Sequence, residues 1–256
     1  MKKDNGSKMK NKIALIKLGY VGCVLNIEFI KKWQSDLFEI NQIDCIEHLP
    51  DASFEDGYLD QKYKKEDLVD LINCPNHSDF AVAIMPYRFV DNFYMHRIKD
   101  KCVVISLYGI SEILSIDNIS MENFIIKQLY EICSLRYLVS DISSDDVYSF
   151  VHRDTRGCIF DMNGERSDII FNTEKPKICD ECRGVFKKKQ INTEVVSKLE
   201  RELKRIKKPW ILQVEKYIKN YPLVSIIFSG LIAICLNLFA SFIWELLKPV
   251  LQSHFR

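Results

Sequence analysis

Glycine is scarce in this chain, nine residues in 256. No stretch gathers them into a phosphate-cradling loop, which removes nucleotide-binding readings of that kind. Positive charge is not in excess either. Lysine and arginine number 36 against 35 aspartates and glutamates, a formal net charge of +1, and no nucleic-acid-binding signature is present. There is no internal repeat and no low-complexity segment, which excludes solenoids and disordered tails. Nothing reads as a signal peptide: MKKDNGSKMKNK is basic and polar, but the run behind it, IALIKLGYVGCVL, is interrupted by Lys17 and reads as a strand. A disulfide framework is missing too. The nine cysteines are odd in number and irregularly spaced, and Cys23, Cys45, Cys102 and Cys133 sit singly in apolar runs. There a reduced cysteine acts as a small core residue, so a reducing cytosol is the expected compartment.

What is present is ordinary globular composition, 47% hydrophobic and 28% charged. KIALIKL, IDCIEHL, FAVAIMP and CVVISLY predict strands. IEFIKKWQSDLFEI, with Ile27, Ile30, Trp33, Leu37 and Ile40 at helical spacing, predicts a helix, as does YKKEDLVDLI. ENFIIKQLYEICSLRYL predicts another, with Phe124, Ile125, Leu129, Ile132 and Leu135 turned inward. The alternation argues an α/β fold, a mixed or mostly parallel sheet with packed helices. Residues 1–150 are expected as a cytosolic α/β domain that 151–190 extends.

Beyond it, 191–221 reads as a basic amphipathic stalk. Thr193 can cap a helix with Val196, Leu199, Leu203 and Ile206 on one face and Lys198, Arg201, Lys204, Arg205 and Lys208 on the other. Pro209 should break it, and WILQVEKYIKNY resumes as an interfacial segment. The basic face suits anionic lipid headgroups, and the apolar face suits packing on the domain. Both can hold, one on each side of Pro209.

Residues 222–247 predict a transmembrane helix, followed by a short tail, 248–256. Leu223 to Trp244 is 22 residues without one charge, enough to cross a hydrocarbon core of about 30 Å. Lys204, Arg205, Lys207, Lys208, Lys216 and Lys219 precede it, and only Lys248 and Arg256 follow. Basic flanks stay inside, so the domain is expected on the cytoplasmic face, of the inner membrane if the source is bacterial, in a tail-anchored, single-span protein. Gly230, Ala233, Asn237 and Ser241 make a stripe of small and polar side chains on one face. Small residues allow close approach and an intramembrane amide seeks a partner, so a homo-oligomer through this helix is expected.

The densest chemistry lies in HRDTRGCIFDMNGERSDIIFNTEKPKICDEC, residues 152–182. His152, Cys158, Cys179 and Cys182 supply the four nitrogen and sulfur ligands of a closed, structural zinc site. Two other readings stand beside it. Cys179 and Cys182 could be a redox CxxC pair, and Cys158 a nucleophile with His152 as base. The acidic run Asp141, Asp145 and Asp146 reads as a solvated loop and helix start.

The layout of His152, then CIFDM, then KICDECRGVF resembles the C-terminal part of the archaemetzincins, zinc-binding α/β proteins. In that family an extended HExxHxxGxxH motif is followed by a Cys, then CVM, then CxxC. The resemblance implies that Cys158, Cys179 and Cys182 hold a structural zinc, and it matches His152 to the last His of the peptidase motif. Arg153 stands where the family's first structural Cys falls, which makes His152 the natural fourth ligand. Counted back from His152, the other two zinc-binding histidines fall on Ile142 and Asp146 and the general-base Glu on Ser143. The imidazoles and carboxylate of a peptidase centre are absent there.

Three function classes follow. The first is a membrane-anchored, non-catalytic module that senses a ligand or protein and acts through its span, by fold-level analogy a bacterial stress or anti-phage effector. The second is a tethered enzyme, a diverged metallopeptidase or a thiol enzyme. The third is a passive anchor that recruits a cytosolic partner.

Overall fold

A computed structural model describes residues 10–254 apart from 23, 53, 56–60 and 209. Cys23, Pro209 and Arg256 lie outside the described residues, as does the side chain of Lys216. The chain divides into two compact units, 1–207 and 208–256.

In the first unit the strands are β1 (Asn11–Leu18), β2 (Phe38–Ile46), β3 (Phe54–Glu55), β4 (Gln61–Tyr63), β5 (Phe80–Met85), β6 (Arg88–Phe89), β7 (Met95–Lys99) and β8 (Cys102–Ser106). Its helices are α1 (Ile27–Lys31), α2 (Ile110–Ile116), α3 (Met121–Leu138), α4 (Ile169–Glu174), α5 (Asp180–Lys188) and α6 (Thr193–Leu203). The main sheet has the order β2-β1-β5-β8-β7. β1, β2, β5 and β8 run parallel, and β7 closes the edge antiparallel to β8.

Burial on both faces explains why the central strands read as unbroken apolar runs. Ile13, Leu15, Val82, Ile84, Val103 and Ile105 point into the larger core with α3. Their alternates Ile16, Leu18, Ala81, Ala83, Met85, Cys102 and Val104 pack with Tyr63, Leu68, Ile72 and Phe89 on the opposite face. β3, β4 and β6 form a small second sheet there. These strands of two or three residues are too short to show a period, and no sequence signal marks them. β7, MHRIK, is half-buried and mostly polar, as suits a sheet edge.

Two expected helices are shorter than their spacing suggests. The helix starting at Ile27 ends at Lys31, and Leu37 and Ile40 belong to the approach and body of β2. The Ser35 hydroxyl accepts from the amides of Leu37 (3.0 Å) and Phe38 (3.3 Å), holding the chain in a turn where a helix would continue. YKKEDLVDLI contributes only a 3-10 turn, Lys65–Leu68. Asp67 accepts from the Lys64 amide at 2.8 Å, and the Lys99 ammonium takes the Val69 carbonyl at 2.8 Å, ending the turn.

α3 is buried on nearly every side, with Phe124, Ile125, Leu129, Ile132 and Leu135 fully covered. The Ser120 hydroxyl caps it by accepting from the Asn123 amide at 3.3 Å. Its polar residues Lys127, Gln128 and Glu131 are buried as well. The Glu131 carboxylate lies 3.5 Å from the Lys127 ammonium and 3.4 Å from the Arg97 guanidinium, so one negative charge is shared between two positive ones.

The stretch 191–221 contains two separate helices. α6 is built into the first unit, with Leu199, Leu203 and Ile206 buried in its core. The second unit holds α7 (Trp210–Asn220) and α8 (Pro222–His254). Pro222–Trp244 of α8 is long and apolar enough to cross a membrane, and among the described residues none of it is buried.

Candidate metal centre

Three local devices bring four ligands from a 31-residue stretch to one point. The first is a strand-like pairing around His152, whose amide donates to the Phe160 carbonyl at 3.0 Å while its carbonyl accepts from Met162 at 2.9 Å. The second positions Cys158. Ile159 donates to the Lys177 carbonyl at 3.0 Å and Lys177 to that of Gly157 at 3.2 Å. Gly157 adopts a φ of +72°, which a side chain would strain. One carboxylate oxygen of Asp161 accepts from the amides of both Arg156 and Cys158 at 2.9 Å, closing the loop around the sulfur. The third is the start of α5. Cys179 is its N-cap, and its sulfur accepts from the Cys182 amide at 3.5 Å.

The result is a compact cluster. One ligand atom from each of His152, Cys158, Cys179 and Cys182 lies within 4.8 Å of the others. His152 Nε2 is 3.0 Å from Cys182 Sγ and 3.1 Å from Cys179 Sγ. Cys158 and Cys182 sulfurs are 3.9 Å apart, against about 3.8 Å for two thiolates on one tetrahedral zinc with bonds of about 2.3 Å. His152, Cys158 and Cys182 are buried and Cys179 is half-buried. The hydrogen bond shared between the two sulfurs lowers the Cys158 thiol to about 6, and the same bond, with burial, raises Cys182. The cluster therefore favours one thiolate before any cation arrives. Three sulfurs and one imidazole gathered this closely have the donor chemistry of a zinc site, and these four residues could hold the ion.

The chain resembles an archaemetzincin. The solved structure of the archaemetzincin from Methanopyrus kandleri is 13% identical, with a TM-score of 0.47 over 72% of this chain and 97% of that one. No family model and no curated protein matches.

The geometry weighs the other readings of the cluster. The CxxC opens a helix. Even so, a third sulfur and an imidazole crowd the pair, which a two-thiol redox site does not need. Cys158 is fully buried, whereas a nucleophilic thiolate needs access to its substrate. Ile142 is buried, Asp146 is exposed, and Ser143 donates to Asp141 in a tight turn, at 2.7 Å from its amide and 2.6 Å from its hydroxyl. Residues 145–149 form only a 3-10 turn, so the positions counted back from His152 do not share a helix face.

Sequence reading passed over Asp161 as a positioning residue and Asn172, whose amide donates to the Cys158 carbonyl at 3.3 Å. The DM of CIFDM was the one signal for the former. Of the basic stalk residues, Lys204, Arg205, Lys207 and Lys219 are exposed and Lys208 is buried. Arg205 stacks 4.8 Å over the Trp33 ring and donates to the Gln34 carbonyl at 2.6 Å. Gly230, Ala233, Asn237 and Ser241 are exposed along α8.

Proposed function

We propose that this is a membrane-tethered, zinc-stapled α/β protein whose cytoplasmic domain binds a ligand or protein partner and does not hydrolyse peptides. The uncovered apolar helix Pro222–Trp244 carries the reading, because so long an apolar surface is not stable in water. Four protein ligands would leave the zinc no open position, which supports a structural role over a catalytic one.

The purified full chain is expected not to cleave an unstructured protein substrate. Chelator-sensitive cleavage by the wild type would overturn the non-catalytic reading.

The span is proposed to bring copies together through Gly230, Ala233 and Asn237. Ser241's hydroxyl donates to the Asn237 carbonyl of its own helix at 3.0 Å, so the interhelical bond falls to the Asn237 amide. Crosslinking in membranes is expected for the wild type and reduced in Asn237→Leu and Gly230→Ile. Equal crosslinking in all three would leave the span as a passive anchor.

A further inference from the structure

We propose that α7 lies in the headgroup layer of a bilayer, its apolar stripe turned toward the acyl chains. The inference rests on the reading of α8 as a span and adds a second membrane contact to it. Trp210, Ile211, Val214, Tyr217, Ile218 and Tyr221 are all exposed large apolar side chains. Their spacing of i, i+1, i+4, i+7, i+8 and i+11 puts them on one face of the helix. Trp210 is 73% exposed, which is costly for an indole in water. The rest of the helix carries Leu212, Gln213, Glu215, Lys216 and Lys219, of which Glu215 and Lys219 pair at 2.7 Å.

Three features select a lipid interface as the occupant. α8 begins at Pro222, one residue after Tyr221, so a helix inserted in the bilayer holds α7 at its surface. Pro222 has no N–H to donate to Ile218, which interrupts the backbone ladder at the junction and allows α7 to leave the axis of the span. Trp and Tyr, with an apolar body and one polar atom, are the side chains that favour this layer. Glu215 offsets one of the two lysines of α7, Lys216 and Lys219, so six large apolar side chains face a single uncompensated charge and apolar burial drives the contact.

The test uses the full chain in phosphatidylcholine vesicles, with Trp33→Phe and Trp244→Phe leaving Trp210 as the single indole. Lipids brominated near the headgroup are expected to quench most of the Trp210 emission, and lipids brominated at the chain ends far less. Ile211→Glu with Ile218→Glu should abolish most of that quenching while the chain still resists carbonate extraction. High salt should leave it unchanged. Three results overturn the proposal: an unquenched Trp210 in a chain that resists extraction, quenching lost in high salt, or an unquenched Trp210 with Val214→Cys crosslinking between copies. In each of these α8 stays inserted and the membrane reading survives. If carbonate removes the wild-type chain, the membrane reading fails and this proposal falls with it.

Discussion

Cys182→Ser is expected to abolish zinc binding and to unfold the region around residues 150–190. Cys182 is buried, 3.0 Å from His152 Nε2 and 3.9 Å from the Cys158 sulfur, so its loss opens the tetrahedron and leaves a hydroxyl in its place. A preformed site does not exist in an unfolded chain, so metal-binding free energy is folding free energy, about 10–16 kcal/mol for structural zinc in small fingers. That is as large as the whole stability of a typical domain, about 5–15 kcal/mol. Elemental analysis of the wild type should find about one zinc per chain. A strong chelator should lower its melting temperature to near that of the variant. Cys45→Ser, at an exposed cysteine outside the cluster, serves as the control and should change neither quantity. A folded, reduced wild type without metal would refute the assignment.

The second large effect is expected at Glu202, on the face of α6 that meets the domain. Its buried carboxylate accepts from the Ser35 hydroxyl at 2.6 Å, the Tyr130 hydroxyl at 2.7 Å and the Asp36 amide at 2.8 Å. Trp33 donates to the same Tyr130 oxygen at 2.8 Å. Burial raises the Tyr130 phenol, so it remains a donor to the carboxylate across the neutral range. Truncation leaves several buried polar groups without partners, and Glu202→Ala should cost about 3–5 kcal/mol. Chemical denaturation should show the loss, and amide exchange should show α6 deprotected before the sheet. A change below about 1 kcal/mol would mean that apolar packing at Leu199 and Leu203 holds α6 without this network.

Glu202 also shows where local reading stops. In KLERELKRIKK it looks like one more charge on an amphipathic helix. Only the return of residues 33–37 to that face makes it a buried hub. Lys127 and Glu131 are similar. Their i, i+4 spacing reads as a solvated pair, but α3 is covered on nearly every side. The helix expected through Leu37 failed for a related reason, since Ser35 caps a turn that leads into β2.

The sequence by itself determined the alternation of strand and helix, the inward face of α3, the candidate zinc ligands and the long apolar helix. Each depends on signals within one segment: the period of apolar residues, the donor chemistry of cysteine and histidine, or the length of an uncharged run. Only the three-dimensional arrangement settled the strand order, the small second sheet and the buried contacts of Glu202 with Ser35 and Tyr130. Those depend on which distant segments share a core, where the cost of burying a polar group is met only by partners far away in the chain.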